Sequence, residues 1–118
     1  MTDNDVILDL ERDDRIGMPE AVLCTNKTPT QINRAINQAM AASKSILLTH
    51  LNAEKAASIS VTPLDYDMIS QTAIVGPWDA PTGNPQVAIV SAGTSDMPIV
   101  AEASRTLAFH GTQSKSFV

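Results

Sequence analysis

The sequence predicts an α/β protein, and three observations predict it. Short runs of β-branched and aliphatic residues are bounded by turn residues, a helix with paired start signals lies between two of them, and a strand, small-residue turn and helix close the chain. Strands alternating with helices argue for a layered sheet-and-helix fold. The 118 residues, 43% of them hydrophobic, suit one domain or one and a fraction. Only 3% are aromatic, so the core must be built from Ile, Val, Leu, Ala and Met.

In chain order, Val6 to Leu10 forms a short strand or extended lead-in to the mixed-charge stretch Glu11-Arg12-Asp13-Asp14-Arg15. Gly17-Met18-Pro19 signals a turn and Ala21 to Cys24 a strand. Thr28 as N-cap, Pro29 at the first helical position and Gln31 three residues after the cap start a helix that runs to about Ala42. Its Ile32, Ala35, Ile36, Ala39 and Met40 recur on one apolar face, while Asn33, Arg34, Asn37 and Gln38 face water. Ile46 to His50 is a strand, and Asn52 caps a short helix through Ala57. Tyr66–Ile69 and Thr72–Val75 read as two strands joined by Ser70-Gln71, without the Asn-Gly that would make the hairpin firm. Gly76 to Pro85 holds three Pro and two Gly and reads as a linker or domain boundary. Val87 to Val90 reads as a buried strand, followed by a turn of small residues and a helix from about Pro98 to Phe109. Gly111 is placed to end that helix, and Ser116-Phe117-Val118 would begin the next strand.

Charge and composition exclude several function classes. A formal net charge of -5, with no Lys/Arg cluster, argues against a nucleic-acid surface, because phosphate neutralisation supplies most of that affinity. A small ligand or a protein partner is the better expectation. A single cysteine excludes an internal disulfide, and the acidic opening Met1-Thr2-Asp3-Asn4-Asp5 is unlike a secretory signal. No apolar run approaches the roughly 20 residues of a membrane-spanning helix, so a cytoplasmic, membrane-free protein is expected.

The strongest candidate site is the turn Ser91-Ala92-Gly93-Thr94-Ser95-Asp96. Its small side chains let a ligand approach the main chain, and Ser95 or Asp96 could cap the helix and leave amides free for an anion. In a βαβ unit the ligand crevice lies beyond the carboxyl ends of the strands. The turn matches neither GxGxxG nor a Walker loop, so a plain strand-to-helix connection stands beside the nucleotide-holding reading. Asp96 would serve either as cap or as a ribose ligand. Cys24, His50 and Asp65 could form a nucleophile, base and orienter, but they sit on separate elements without a nucleophile turn. Cys24 reads better as a core thiol, His50 as a strand-end contact and His110 as a helix-dipole partner. No metal site is expected, since no ligand spacing is present. Arg12, Arg15 and Lys27 flank the turn ending at Glu20, either to meet an anion or to pair with Asp9, Glu11, Asp13 and Asp14.

Three stretches then carry a resemblance. Asp9 to Glu20, Lys27-Thr28-Pro29-Thr30-Gln31, and Val87 to Pro98 resemble, in order and spacing, the LarB family of nickel-pincer cofactor biosynthesis proteins. The resemblance spans nearly the whole chain. It implies an N-terminal α/β domain over 1–75, a linker over 76–85, and over 86–118 the first strand, helix and strand of a flavodoxin-like domain similar to aminoimidazole ribonucleotide carboxylase (PurE). The family carboxylates the pyridinium ring of nicotinic acid adenine dinucleotide (NaAD) with CO2 or bicarbonate and cleaves its phosphoanhydride. The products are pyridinium-3,5-biscarboxylic acid mononucleotide and AMP, in lactate racemase maturation. The resemblance implies NaAD as partner, Mg2+ as a candidate ion and a homo-oligomer, with no cofactor bound by this chain alone.

Purine carboxylases use Gly-Ser-x-Ser-Asp on substrate phosphate and ribose. Here Ala92-Gly93 stand where their Gly-Ser would be, one hydroxyl is missing, and Ser95 and Asp96 are retained. The resemblance therefore implies phosphate and ribose contacts by Gly93, Thr94, Ser95 and Asp96. It gives Arg12, Arg15, Glu20 and Lys27 either anion contacts or domain docking. The family's cysteine thiolate belongs to a later part of the carboxylase-like domain, so no catalytic residue is expected here and the chain alone is expected to be inactive. A noncatalytic interaction module, or a relative of the purine carboxylases, is the alternative.

Overall fold

A computed structural model describes residues 21–60 and 64–117. The expected strand at Val6–Leu10 and turn at Gly17–Pro19 lie outside the described residues. The described elements are β1 (Ala21–Leu23), α1 (Pro29–Ala41), β2 (Ile46–Thr49), α2 (Ala53–Ala57), β3 (Asp65–Asp67), β4 (Thr72–Val75), β5 (Val87–Val90), α3 (Met97–Phe109) and β6 (Ser114–Phe117). They make an α/β fold with two sheets, one ordered β1-β2-β4-β3 and one of β5 and β6.

Local chemistry starts α1 as its sequence predicts. Thr28 Oγ1 accepts from the Gln31 amide at 3.2 Å and Gln31 Oε1 accepts from the Thr28 amide at 2.9 Å, so two amides that the helix leaves unpaired are satisfied. The helix buries Ile32, Ala35, Ile36 and Ala39 and carries the chain from β1 to β2, which pair in parallel with Ala21 opposite Leu47. Two details differ from the expected face. Met40 is 49% exposed, because the four-residue step from Ile36 takes it past the edge of the buried stripe. Asn33 is half-buried and bonded rather than free in water: its amide nitrogen donates to the Pro29 and Ser58 carbonyls and its oxygen accepts from the Ser60 amide at 3.1 Å, fastening α1 to the exit of α2.

β2 then pairs antiparallel with β4, and β4 with β3. The hairpin forms without Asn-Gly because Asp67 Oδ2 accepts from the Ser70 amide at 3.0 Å, and Gln71 takes the left-handed conformation at φ 54°. That bond ends β3 at Asp67 rather than Ile69, leaving Met68 and Ile69 exposed in the turn. Gly76 follows β4 at φ +95°, and a Cβ there would lie 2.9 Å from Ser45 Cα, so glycine is required.

Alternation along β2 and β4 divides the core between the two faces of the sheet. Ile46, Leu48, Ala73 and Val75 join Val22, Cys24 and the α1 stripe on one side. Leu47 and Ile74 meet Phe109 of α3 on the other, with Trp78 packed against them. The Pro/Gly-rich segment thus returns a side chain to the first sheet.

β5, α3 and β6 form a strand-helix-strand unit with Val87 opposite Ser114 and Val90 opposite Phe117, in parallel. Gly111 ends α3 at φ +87°: its amide donates to the Ala108 carbonyl and that of Thr112 to Leu107, the pairing of a Schellman motif. The expectation that β5 is buried is corrected, since Val90 is 77% exposed and Val87 and Ala88 are exposed too. Ser114 Oγ donates to Ser104 of α3, which marks the helix-covered face of this sheet. The pleat places Ala88, Val90, Lys115 and Phe117 on the opposite face, where all four are exposed.

Candidate functional site

The turn that follows β5 lies at the carboxyl end of the parallel pair, where the Ser91 amide donates to the Phe117 carbonyl at 2.9 Å. Thr94–Asp96 make one turn of 3-10 helix that runs directly into α3. Capping by Ser95 or Asp96 is not what the structure shows. Neither makes a side-chain cap bond: Asp96 sits at φ -88°, ψ 0° rather than in the extended conformation of a cap, and Pro98 removes one of the amides that a cap would reach. The Asp96 carboxylate and the Thr94 and Ser95 hydroxyls therefore have no bond to the helix start. Gly93 is extended at φ -178°, and a Cβ built on it would meet nothing within 4 Å. The fold itself does not require glycine there.

The remaining candidates are not brought together. Cys24 is fully buried, and burial pushes its thiol up to about 11 against the opposing pull of the Lys27 and Lys55 charges. A fully buried thiol whose ionisation burial disfavours is not poised as a nucleophile. His50 Nε2 lies 3.3 Å from Glu102 Oε1 on α3, and Asp65 binds Arg105 and Trp78, so neither turns to Cys24. His110 Nδ1 lies 2.8 Å from the Thr106 carbonyl, the helix-end role its position suggests. Lys27 Nζ donates to the Leu23 carbonyl at 2.9 Å and thus holds the β1 to α1 loop. Arg12, Arg15 and Glu20 lie outside the described residues. Among the described residues no group of three or more His, Cys, Asp or Glu side chains could hold a metal ion, and no helix is long and apolar enough to cross a membrane.

Sequence reasoning missed a polar cluster. Arg105 of α3 donates from Nε to Thr72 Oγ1 at 2.8 Å and from a terminal nitrogen to Asp65 Oδ1 at 2.9 Å, while the Trp78 indole donates to Asp65 Oδ2 at 3.0 Å. The only signals were a lone cation on the Ala-, Ser- and Leu-rich part of α3 and a single tryptophan in a Pro/Gly-rich stretch.

Residues 4–77 match the family model described as the LarB/PurE-like N-terminal domain. No curated protein matches the chain. The matched span ends before the turn at 91–96.

Proposed function

The chain belongs to the LarB/PurE-like N-terminal domain family, and from that premise we propose that it is part of a synthase that carboxylates NaAD and cleaves its phosphoanhydride. In this reading 1–75 form the N-terminal domain, 76–85 the linker, and 86–118 the opening of a flavodoxin-like carboxylase domain. The turn holds the substrate's ribose and phosphate. The carrying observation is the Asp96 carboxylate, left without a helix bond at the carboxyl end of two parallel strands.

The chemistry assigns each residue a part. An ionised carboxylate accepts hydrogen bonds, so Asp96 suits the ribose hydroxyls and repels phosphate. The Thr94 and Ser95 hydroxyls donate to phosphate oxygens, and Gly93 leaves room for them to approach. In this reading Cys24 does not supply the attacking thiolate, because it is fully buried and burial disfavours its ionisation. CO2 or bicarbonate, Mg2+, a cytoplasmic setting and a homo-oligomer belong to the same proposal.

Titrating NaAD into 15N-labelled protein tests the reading. Chemical shifts of Gly93, Thr94 and Ser95 move, and Asp96→Ala weakens the response by roughly tenfold, the loss expected for charged hydrogen bonds to one ligand. No movement at these three residues overturns it. The exposed Val90, Ile99 and Phe117 favour a second reading, a noncatalytic association module.

A further inference from the structure

α3 belongs to two sheets at once. Phe109 enters the core of the four-stranded sheet, Glu102 meets His50 and Arg105 meets Asp65 and Thr72, all from one side of the helix, while Ser104 turns to Ser114 of β6. Among these links the Arg105 guanidinium binds the most elements. Its side chain is 17% exposed, it donates to the Asp65 carbonyl as well as its carboxylate, and its Cζ lies 5.9 Å from the centre of the Trp78 ring.

The hydrogen bonds run in one direction. Arg105 Nε donates to Thr72 Oγ1, which leaves the Thr72 proton for Ser70 Oγ at 2.8 Å, and Ser70 donates to Asp67 Oδ2. A cation on α3 is thereby joined through two hydroxyls to an anion at the end of β3, and bonds in such a chain polarise one another. Ser70 and the Arg105 charge both hold the Asp67 carboxyl below its ordinary range. Lysine could not replace Arg105, since Nε and a terminal nitrogen of one rigid fork serve acceptors on different strands.

We infer that Arg105 is a positioning residue: with Asp65, Thr72 and Trp78 it locks α3, and so the 93–96 turn at the start of that helix, in a fixed orientation on the four-stranded sheet. What the lock positions the turn for rests on the nucleotide reading; the lock itself does not.

Spin labels at Asn37→Cys on α1 and Lys115→Cys on β6 report the orientation, with Cys24 buried from the reagent. The expected result is one narrow distance distribution that is lost in Arg105→Lys and again in Asp65→Asn, with the Trp78 indole resonance shifted and the α1 amides unmoved. A distribution as narrow in both variants as in the parent overturns the lock. If the parent ignores NaAD while the variants lose the narrow distribution, the lock stands and the nucleotide reading falls.

Discussion

β2 and β5 are strands of four residues with similar apolar content, Ile46-Leu47-Leu48-Thr49 and Val87-Ala88-Ile89-Val90, yet they meet opposite surroundings. β2 has a strand on each edge, α1 on one face and α3 with Trp78 on the other, so Ile46, Leu47 and Leu48 are all fully buried. Among the described residues β5 has one neighbouring strand and one helix, and most of its own residues are exposed. A continuous apolar run is therefore only permission to be buried. The neighbours that bury it are set elsewhere in the chain.

The largest test of this contrast is a pair of truncations. Leu48→Ala leaves a cavity in the doubly covered strand and costs about 2 to 5 kcal/mol in urea unfolding. Val90→Ser removes a side chain that touches little and shifts stability by no more than about 0.5 kcal/mol. If Val90 and Phe117 bind other molecules, Val90→Ser also lowers the mass read by light scattering. Equal losses of stability in the two variants would break the comparison.

A smaller effect is expected where the covered sheet hands over to the Pro/Gly-rich segment. Gly76→Ala places a Cβ against the Ser45 backbone at a left-handed φ, and costs about 1 to 3 kcal/mol. Gly93→Ala, at an extended position with open space, leaves unfolding unchanged. Thermal melts of the two variants separate a glycine that the fold requires from one that it does not.

The smallest effect is one of pH. Asp67 is held below its ordinary range first by the Ser70 hydroxyl, then by the Ser70 amide and the Arg105 charge, against a rise from desolvation. A depressed carboxyl contributes stability that is fully present above its unfolded value of about 3.9 and is lost as pH falls through the folded value. Asp67→Asn should remove that acid-side slope, by under about 1 kcal/mol for a group this close to solvent. An unchanged slope between pH 5 and pH 2 would show that the turn does not depend on the ionised form.

Most of the first sheet was legible because its signals are local. Thr28, Pro29 and Gln31 lie within four residues, and the cap of Asn52 on the Lys55 amide is equally short in range. The exposure of Val90 was not legible, since it depends on which elements arrive beside β5. Arg105 was missed because its partners lie 33 and 40 residues away. At the candidate site the strand, turn and helix were readable. The freedom of Asp96 was not, although Pro98, which withholds an amide from it, stood in plain view two residues on.

Cys24 also gives the molecule a clock. Cys24 is fully buried in the core that β1 shares with α1, so a reagent reaches it only when that packing opens. The rate of its modification would then count those openings, and would tell excursions of the first sheet apart from fraying at the ends of the chain.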